Sequence, residues 1–156
     1  MLLETPLKSK KQTIEKTRKV FLIDDDEDEL IIFNIALMDM KLAYTLQLAK
    51  SGDDLFKLLE TSVPDLIFLD LHMPGKSGIT VLKMLRYNNK YDSIPIIIYS
   101  KLNKESFIDD CYQAKANYYI IKPVSVDKLV NAINKIINTG WEAERYPSRE
   151  KFLIVG

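Results

Sequence analysis

Four short apolar runs in this 156-residue chain lead straight into side chains that handle ions and phosphates. Val20–Ile23 runs into Asp24, Asp25 and Asp26; "DLIFLD" ends in Asp70; "PIIIYS" ends in Ser100; "NYYII" is followed by Lys122 and Pro123. Carboxylates gathered at one place repel, by roughly 4 kcal/mol for a pair about 4 Å apart at an effective dielectric near 20. Asp24, Asp25 and Asp70 brought together would weaken a fold unless something positive sat among them. Mg²⁺ meets that need: it takes oxygen ligands in octahedral geometry, keeps several waters, and commonly uses one or two carboxylates plus a phosphate. Lys122 adds a further positive charge and Ser100 a hydroxyl donor.

Each feature alone has a plainer explanation. An acidic run is ordinarily a solvated face. Glu27, Asp28 and Glu29 suit the first turn of a helix, where the macrodipole favours negative charge. A strand-terminal Asp is commonly a turn former, a lone Ser a cap, a lone Lys a surface residue. What points to a site is their occurrence together, at the ends of separate runs and in a consistent order.

The elements that must position them read as an alternation. Strands are expected at 19–24, 44–49, 65–70, 95–100 and 117–121, three of them almost wholly apolar, as strands covered on both faces should be. The more mixed "YTLQLA" (44–49) suits an edge. Helices are expected at 27–39, with a wide apolar face of Leu30, Ile31, Phe33, Ile35, Leu37 and Met38; after Ser51; after Ser77; over 104–115; and over 125–138. In the last, Val126, Leu129, Val130, Ile133, Ile136 and Ile137 follow helical spacing behind a Ser125 cap. Such alternation gives a parallel sheet with right-handed crossovers, a (βα)5 fold. In open parallel sheets ligands bind beyond the carboxyl ends of the strands, at the topological switch point, which is where the polar groups fall.

Composition narrows the class. Lys plus Arg equals Asp plus Glu at 22 each, so net charge names no partner. Residues 1–19 nevertheless carry six basic and two acidic side chains, and the remainder 16 and 20. A single cysteine, Cys111, excludes an internal disulfide and fits a reducing compartment. No stretch has signal-peptide or membrane-spanning character, and a soluble, cytoplasmic protein is expected. Three segments are expected: a flexible basic arm over 1–18, a domain over 19–139 stopping near Gly140, and a tail over 140–156 whose Trp141, Tyr146, Phe152, Leu153 and Ile154 pack back on the domain.

The motifs "LIDDDEDEL", "PDLIFLDLHMPGKSG", "IPIIIYS" and "YYIIKPV" resemble the receiver domain of bacterial two-component response regulators, over about residues 19–139. The resemblance implies a flavodoxin-like three-layer sandwich with a five-stranded parallel sheet of order 2-1-3-4-5. It implies Asp70 as phosphoacceptor, with Ser100 and Lys122 assisting. Mg²⁺ would be held by Asp24, Asp25, Asp70 and the backbone carbonyl of His72, Asp24 acting through water. It implies Ser100 and Tyr119 as a switch pair, and a cis peptide bond before Pro123, against a general cis frequency of about 5–6%. Two positions depart from the family pattern. Lys115 replaces a customary glycine. His72 is an unusual occupant of its place, and its imidazole reads as an exposed loop group, since a metal site wants several His or Cys ligands.

The function so implied is a phosphoacceptor rather than an enzyme, with slow self-catalysed phosphorylation and dephosphorylation. The partners would be a sensor histidine kinase or histidine phosphotransfer protein, plus an unidentified downstream protein. No direct nucleic-acid or membrane binding is expected. Family analogy implies a possible homodimer through the face of the fourth helix, fifth strand and fifth helix, and leaves the oligomeric state open. The residues after 140 are too few for an output domain, so a stand-alone receiver is expected. Two other readings compete: a phosphorylation-independent docking scaffold, and a phosphatase working through an aspartyl phosphate. In the haloacid-dehalogenase class a second Asp lies two residues after the nucleophile, where this chain has His72.

Overall fold

A computed structural model describes residues 16–138 and 145–156. Strands β1 (Arg18–Ile23), β2 (Tyr44–Ala49), β3 (Leu66–Leu69), β4 (Ile96–Ser100) and β5 (Tyr118–Ile121) alternate with five helices. These are α1 (Glu27–Asp39), α2 (Gly52–Thr61), α3 (Gly78–Tyr87), α4 (Glu105–Gln113) and α5 (Val126–Asn138). One helical turn, α6 (Arg149–Phe152), and a two-residue strand, β6 (Leu153–Ile154), follow. Most of the 1–18 segment, together with Gly140 and Trp141, lies outside the described residues.

Local chemistry starts the helices. The side chains of Asp26, Ser51, Ser77 and Ser125 accept from the backbone N–H groups of Asp28, Asp54, Thr80 and Lys128, satisfying donors that a first turn leaves unpaired. In α5, Leu129, Ala132, Ile133 and Ile136 are buried at helical spacing. The wide apolar face expected of α1 divides: Phe33, Ala36 and Leu37 turn inward, while Ile31, Ile35 and Met38 are exposed.

All strand pairs are parallel, in the order β2-β1-β3-β4-β5-β6. The fold is therefore the flavodoxin-like one, with helices on both faces, and the expected five-stranded sheet gains a sixth strand at the β5 edge. Tyr119 and Ile120 pair with Leu153 and Ile154. A two-residue strand offers no periodicity to read; its cause is the wholly buried Phe152 beside it.

Alternation along the strands divides the core. Phe21, Ile23, Ile67, Leu69, Ile96, Ile98 and Tyr119 pack with Leu55, Val81, Leu82 and Ile108 from α2, α3 and α4. Val20, Leu22, Phe68, Ile97, Tyr99 and Ile120 pack with Phe33, Ala36, Leu129 and Ile133 from α1 and α5. Order reverses between β1 and β3, so the chain leaves these neighbours in opposite directions and opens a crevice at their carboxyl ends. One glycine brings α3 up against that crevice. A Cβ on Gly78 would overlap the carbonyl oxygen of Asp70, and the Gly78 N–H donates to Leu71 O at 3.0 Å.

Candidate functional site

β1 and β3 are each buried to their last residue, so the side chains just beyond them emerge at the sheet edge. The N–H of Asp24 donates to Ala49 O and that of Asp70 to Ile23 O, which ties both positions to the neighbouring strands. Ser100 ends β4, and the Lys122 N–H donates to Ser100 O just past β5. Asp24, Asp25, Asp26, Asp70, His72, Ser100, Lys101, Leu102 and Lys122 thus line one cleft of about 320 Å³.

Within it, Asp24, Asp25 and Asp70 each offer a carboxylate oxygen within 4.8 Å of the others. Lys122 Nζ donates to Asp24 Oδ2 at 2.6 Å and to Asp70 Oδ2 at 3.3 Å, with its side chain only 7% exposed. A fourth carboxylate enters from α1: Glu29 Oε1 lies 3.5 Å from Lys122 Nζ, and Glu29 Oε2 accepts from the Tyr99 hydroxyl at 3.1 Å. The ammonium also sits 5.2 Å from the centre of the Tyr99 ring.

The electrostatics follow from three carboxylates, Asp24, Glu29 and Asp70, sharing one ammonium. Burial raises the Asp24 pKa above its ordinary 3.8, against the opposing hydrogen bond from Lys122. Burial alone would lower the Lys122 pKa. The hydrogen bond to Asp24 and the charges of Asp70, Asp24 and Glu29 outweigh it and hold the amine above 10.5. Tyr99 is pushed well above its ordinary range, first by burial and then by the Glu29 charge. Lys122 therefore stays charged at neutral pH, and the pocket keeps an excess of negative charge.

The two buried aspartates differ in how they are held. Asp24 Oδ1 accepts from Asp26 N at 3.0 Å and its Oδ2 from Lys122 at 2.6 Å, so both oxygens are firmly engaged. Asp70 accepts at 3.3 Å from both His72 N and Lys122, two long bonds that leave its oxygens weakly held. Asp25 is exposed at the mouth. An all-oxygen set with a solvent-facing carboxylate suits a hard divalent cation that keeps waters, so these residues fit Mg²⁺. The imidazole of His72 is exposed.

Ser100 and Tyr119 lie on the α4 side of the cleft. Ser100 Oγ accepts from Leu102 N at 3.2 Å, and the Tyr119 hydroxyl donates to Leu102 O at 2.6 Å. Burial and the Cys111 thiol push the Tyr119 hydroxyl up to about 12, against a smaller pull downward from Ser100. The peptide bond before Pro123 is trans, as are all those among the described residues, which corrects the cis expectation. Trans is the lower-energy form of an X-Pro bond by about 0.5–1 kcal/mol. Lys122 makes its backbone bond to Ser100 and its side-chain bonds with that isomer in place.

Two residues of the site escaped the sequence reading. Glu29 was assigned to the helix dipole, yet it shares a face of α1 with Phe33 and Ala36, at i, i+4 and i+7, and is only 7% exposed. An acid on a buried helix face near a strand end was the available signal. Tyr99 lies within the "PIIIYS" run and drew no separate reading; its hydroxyl, which needs a partner when buried, is the signal.

Comparison with known proteins agrees with this geometry. The family model for the response regulator receiver domain matches residues 20–134. The chain is 35% identical over 107 residues to the sensory transduction protein LytT of Oceanobacillus iheyensis, covering 68% of this chain and 43% of that one. It is 33% identical over 90 residues to the chemotaxis protein CheY of Bacillus subtilis, covering 58% and 73%. Among solved structures, the phosphorylated cyanobacterial phytochrome response regulator RcpA superposes with a TM-score of 0.71 at 26% identity, covering 83% of this chain and 96% of that one. The chain belongs to the response-regulator receiver family of two-component signalling. It spans about half the length of relatives such as LytT and the regulator RR06 of Streptococcus pneumoniae, at 43% and 55%. Among the described residues no helix is long and apolar enough to cross a membrane.

Proposed function

We propose that this chain is a Mg²⁺-dependent phosphoacceptor that takes a phosphoryl group onto Asp70 from a phosphohistidine on a sensor kinase or phosphotransfer protein, and signals by protein contact. The observation that carries this reading is the meeting of Asp24, Asp25, Asp70 and Lys122, from three separate strand ends, in one cleft. A weakly held Asp70 beside a firmly held Asp24 is the arrangement a carboxylate nucleophile needs. Its oxygen forms the new P–O bond as the donor N–P bond breaks, and the electron pair stays with the leaving imidazole. The charge of such a transition state spreads over the equatorial oxygens, so the protein's task is to position and neutralise. Lys122 is placed to pair with one of those oxygens and Ser100 to donate to another. Bound Mg²⁺ would offset charge on acceptor and phosphate, held by Asp25, Asp70 and the His72 carbonyl, with Asp24 acting through water. The resulting acyl phosphate is a stored signal rather than a step in turnover, and the protein acts in the cytoplasm, where its donors are.

Incubation with acetyl phosphate and Mg²⁺, read by intact-protein mass spectrometry, tests this. One acid-stable, base-labile phosphoryl group per chain, absent from Asp70→Asn, is the expected result. Turnover of many equivalents would instead make the protein a phosphatase, and no adduct would leave a docking scaffold.

A further inference from the structure

The segment 145–156 crosses the face formed by α4 and β5 and is held there by contacts of three kinds. The Phe152 side chain is wholly buried, its ring centre 5.2 Å from that of Tyr112 and 6.3 Å from that of Tyr119, both edge-on. Leu153 and Ile154 extend the sheet in parallel beside Tyr119 and Ile120. Arg149 Nε donates to Asp109 Oδ1 at 2.7 Å, and its Nη2 to Glu105, both on α4. The far end is tied to α5 by Lys135, which donates to Val155 O. A helical turn that seats an aromatic ring and pairs a cation, followed by a strand that extends the sheet, is a mode of peptide recognition made here within one chain.

This docked segment is linked to the cleft by a short run of contacts. Ser100 Oγ holds the Leu102 N–H, the Leu102 carbonyl accepts from the Tyr119 hydroxyl, and the Tyr119 ring lies against Phe152. A Ser100 hydroxyl that moves toward a phosphoryl group on Asp70 displaces the turn that Tyr119 is bonded to, and so disturbs the seat of Phe152. We infer that residues 145–156 are a displaceable strap occupying a peptide-binding face, and that a phosphoryl group at Asp70 loosens it. The coupling rests on the function proposed above. What the strap uncovers is an open β5 edge, the rings of Tyr112 and Tyr119, and the carboxylates of Glu105 and Asp109. That face fits a partner segment that carries a cation and an aromatic ring on one turn and then adds a strand to β5, as the strap itself does. It is also part of the face that family analogy offers for a possible homodimer, so the strap and a second copy would compete for it.

Hydrogen exchange on the full chain tests the inference, with Mg²⁺ alone and with Mg²⁺ plus fluoroberyllate as phosphoryl mimic. Amide NMR shifts at Asp70 and Lys122 in the same samples report whether the mimic is bound. The expected result is bound mimic with exchange across 149–156 faster by at least about tenfold. Bound mimic with unchanged exchange overturns the strap and leaves the phosphoacceptor reading standing. No shift at Asp70 overturns that reading, and the coupling with it. Linkage is reciprocal, so Phe152→Ala should bind fluoroberyllate more tightly, by about the factor seen in exchange. Arg149→Ala, a milder change at a partly exposed residue, should do so several-fold; unchanged affinity in both variants contradicts the coupling.

Discussion

Two cations in this protein are each surrounded by carboxylates, with different consequences. Lys122 sits among Asp24, Glu29 and Asp70 with side-chain exposures of 7%, 1%, 9% and 7% respectively. Arg149 joins Glu105 and Asp109 with exposures of 31%, 74% and 48%. Water screens the second cluster and is nearly excluded from the first. The exposed cluster orients a segment and contributes little energy. The buried one is a stressed arrangement in which removing Lys122 leaves three carboxylates without their common partner. A stressed charge cluster is also a receptive one: excess negative charge in a dry cleft calls for a cation, and a charged lysine beside a loosely held Asp70 calls for an anion.

The contrast breaks most visibly at Lys122. In metal-free protein at neutral pH, Lys122→Met should lose about 3–5 kcal/mol in urea denaturation, because the carboxylates lose their common partner. A loss below about 1 kcal/mol would mean that solvent already screens them. The effect has a definite pH dependence. The folded pKa of Lys122 lies above 10.5, so the stability its charge contributes is fully present below 10.5. It is lost as pH rises through the folded value, and the gap between variant and parent should close there.

Next in size is the cation itself. Mg²⁺ at ten times its Kd should raise stability by about 1.4 kcal/mol, and Asp25→Asn should abolish most of that shift. An undiminished shift in the variant would place the ion elsewhere. A smaller effect is expected of Glu29→Gln, which keeps an acceptor for the Tyr99 hydroxyl and removes only charge. Mg²⁺ affinity measured by calorimetry should fall several-fold, with stability nearly unchanged; unaltered affinity would show that the fourth carboxylate does not contribute to the field. Smallest is Arg149→Ala, expected to cost about 0.2–1 kcal/mol at low salt and less as ionic strength rises. A larger, salt-insensitive loss would place Arg149 in the buried class.

The same physics explains what could be read from the chain and what could not. The helical spacing of Leu129, Ile133 and Ile136 and the unbroken apolar β3 and β4 are local patterns, so the alternating layers were legible, and with them the edge where Asp24, Asp70, Ser100 and Lys122 emerge. Glu29 was not, because a first-turn acid has a sufficient local explanation and its inward direction depends on how α1 is rotated against β1 and β4. The packing of Phe152 on the domain was expected, but β6 was not legible, because a two-residue strand exists only through the partner it pairs with. Lys115 shows a third case. The family's glycine is missing, yet the backbone keeps a left-handed φ of 66°. A lysine bears that strain while its carbonyl accepts from Arg86 Nε at 2.7 Å and its amine lies over the Tyr146 ring.

The decisive measurement is the position and metal dependence of the phosphoryl group. Protein incubated with a phosphohistidine donor, trapped by borohydride reduction of any acyl phosphate, and mapped by peptide mass spectrometry should carry the mark at Asp70 alone. It should carry it with Mg²⁺ and not with a chelator. A mark on Asp24, Asp25 or Glu29, or a mark at Asp70 indifferent to the metal, would contradict the site described here.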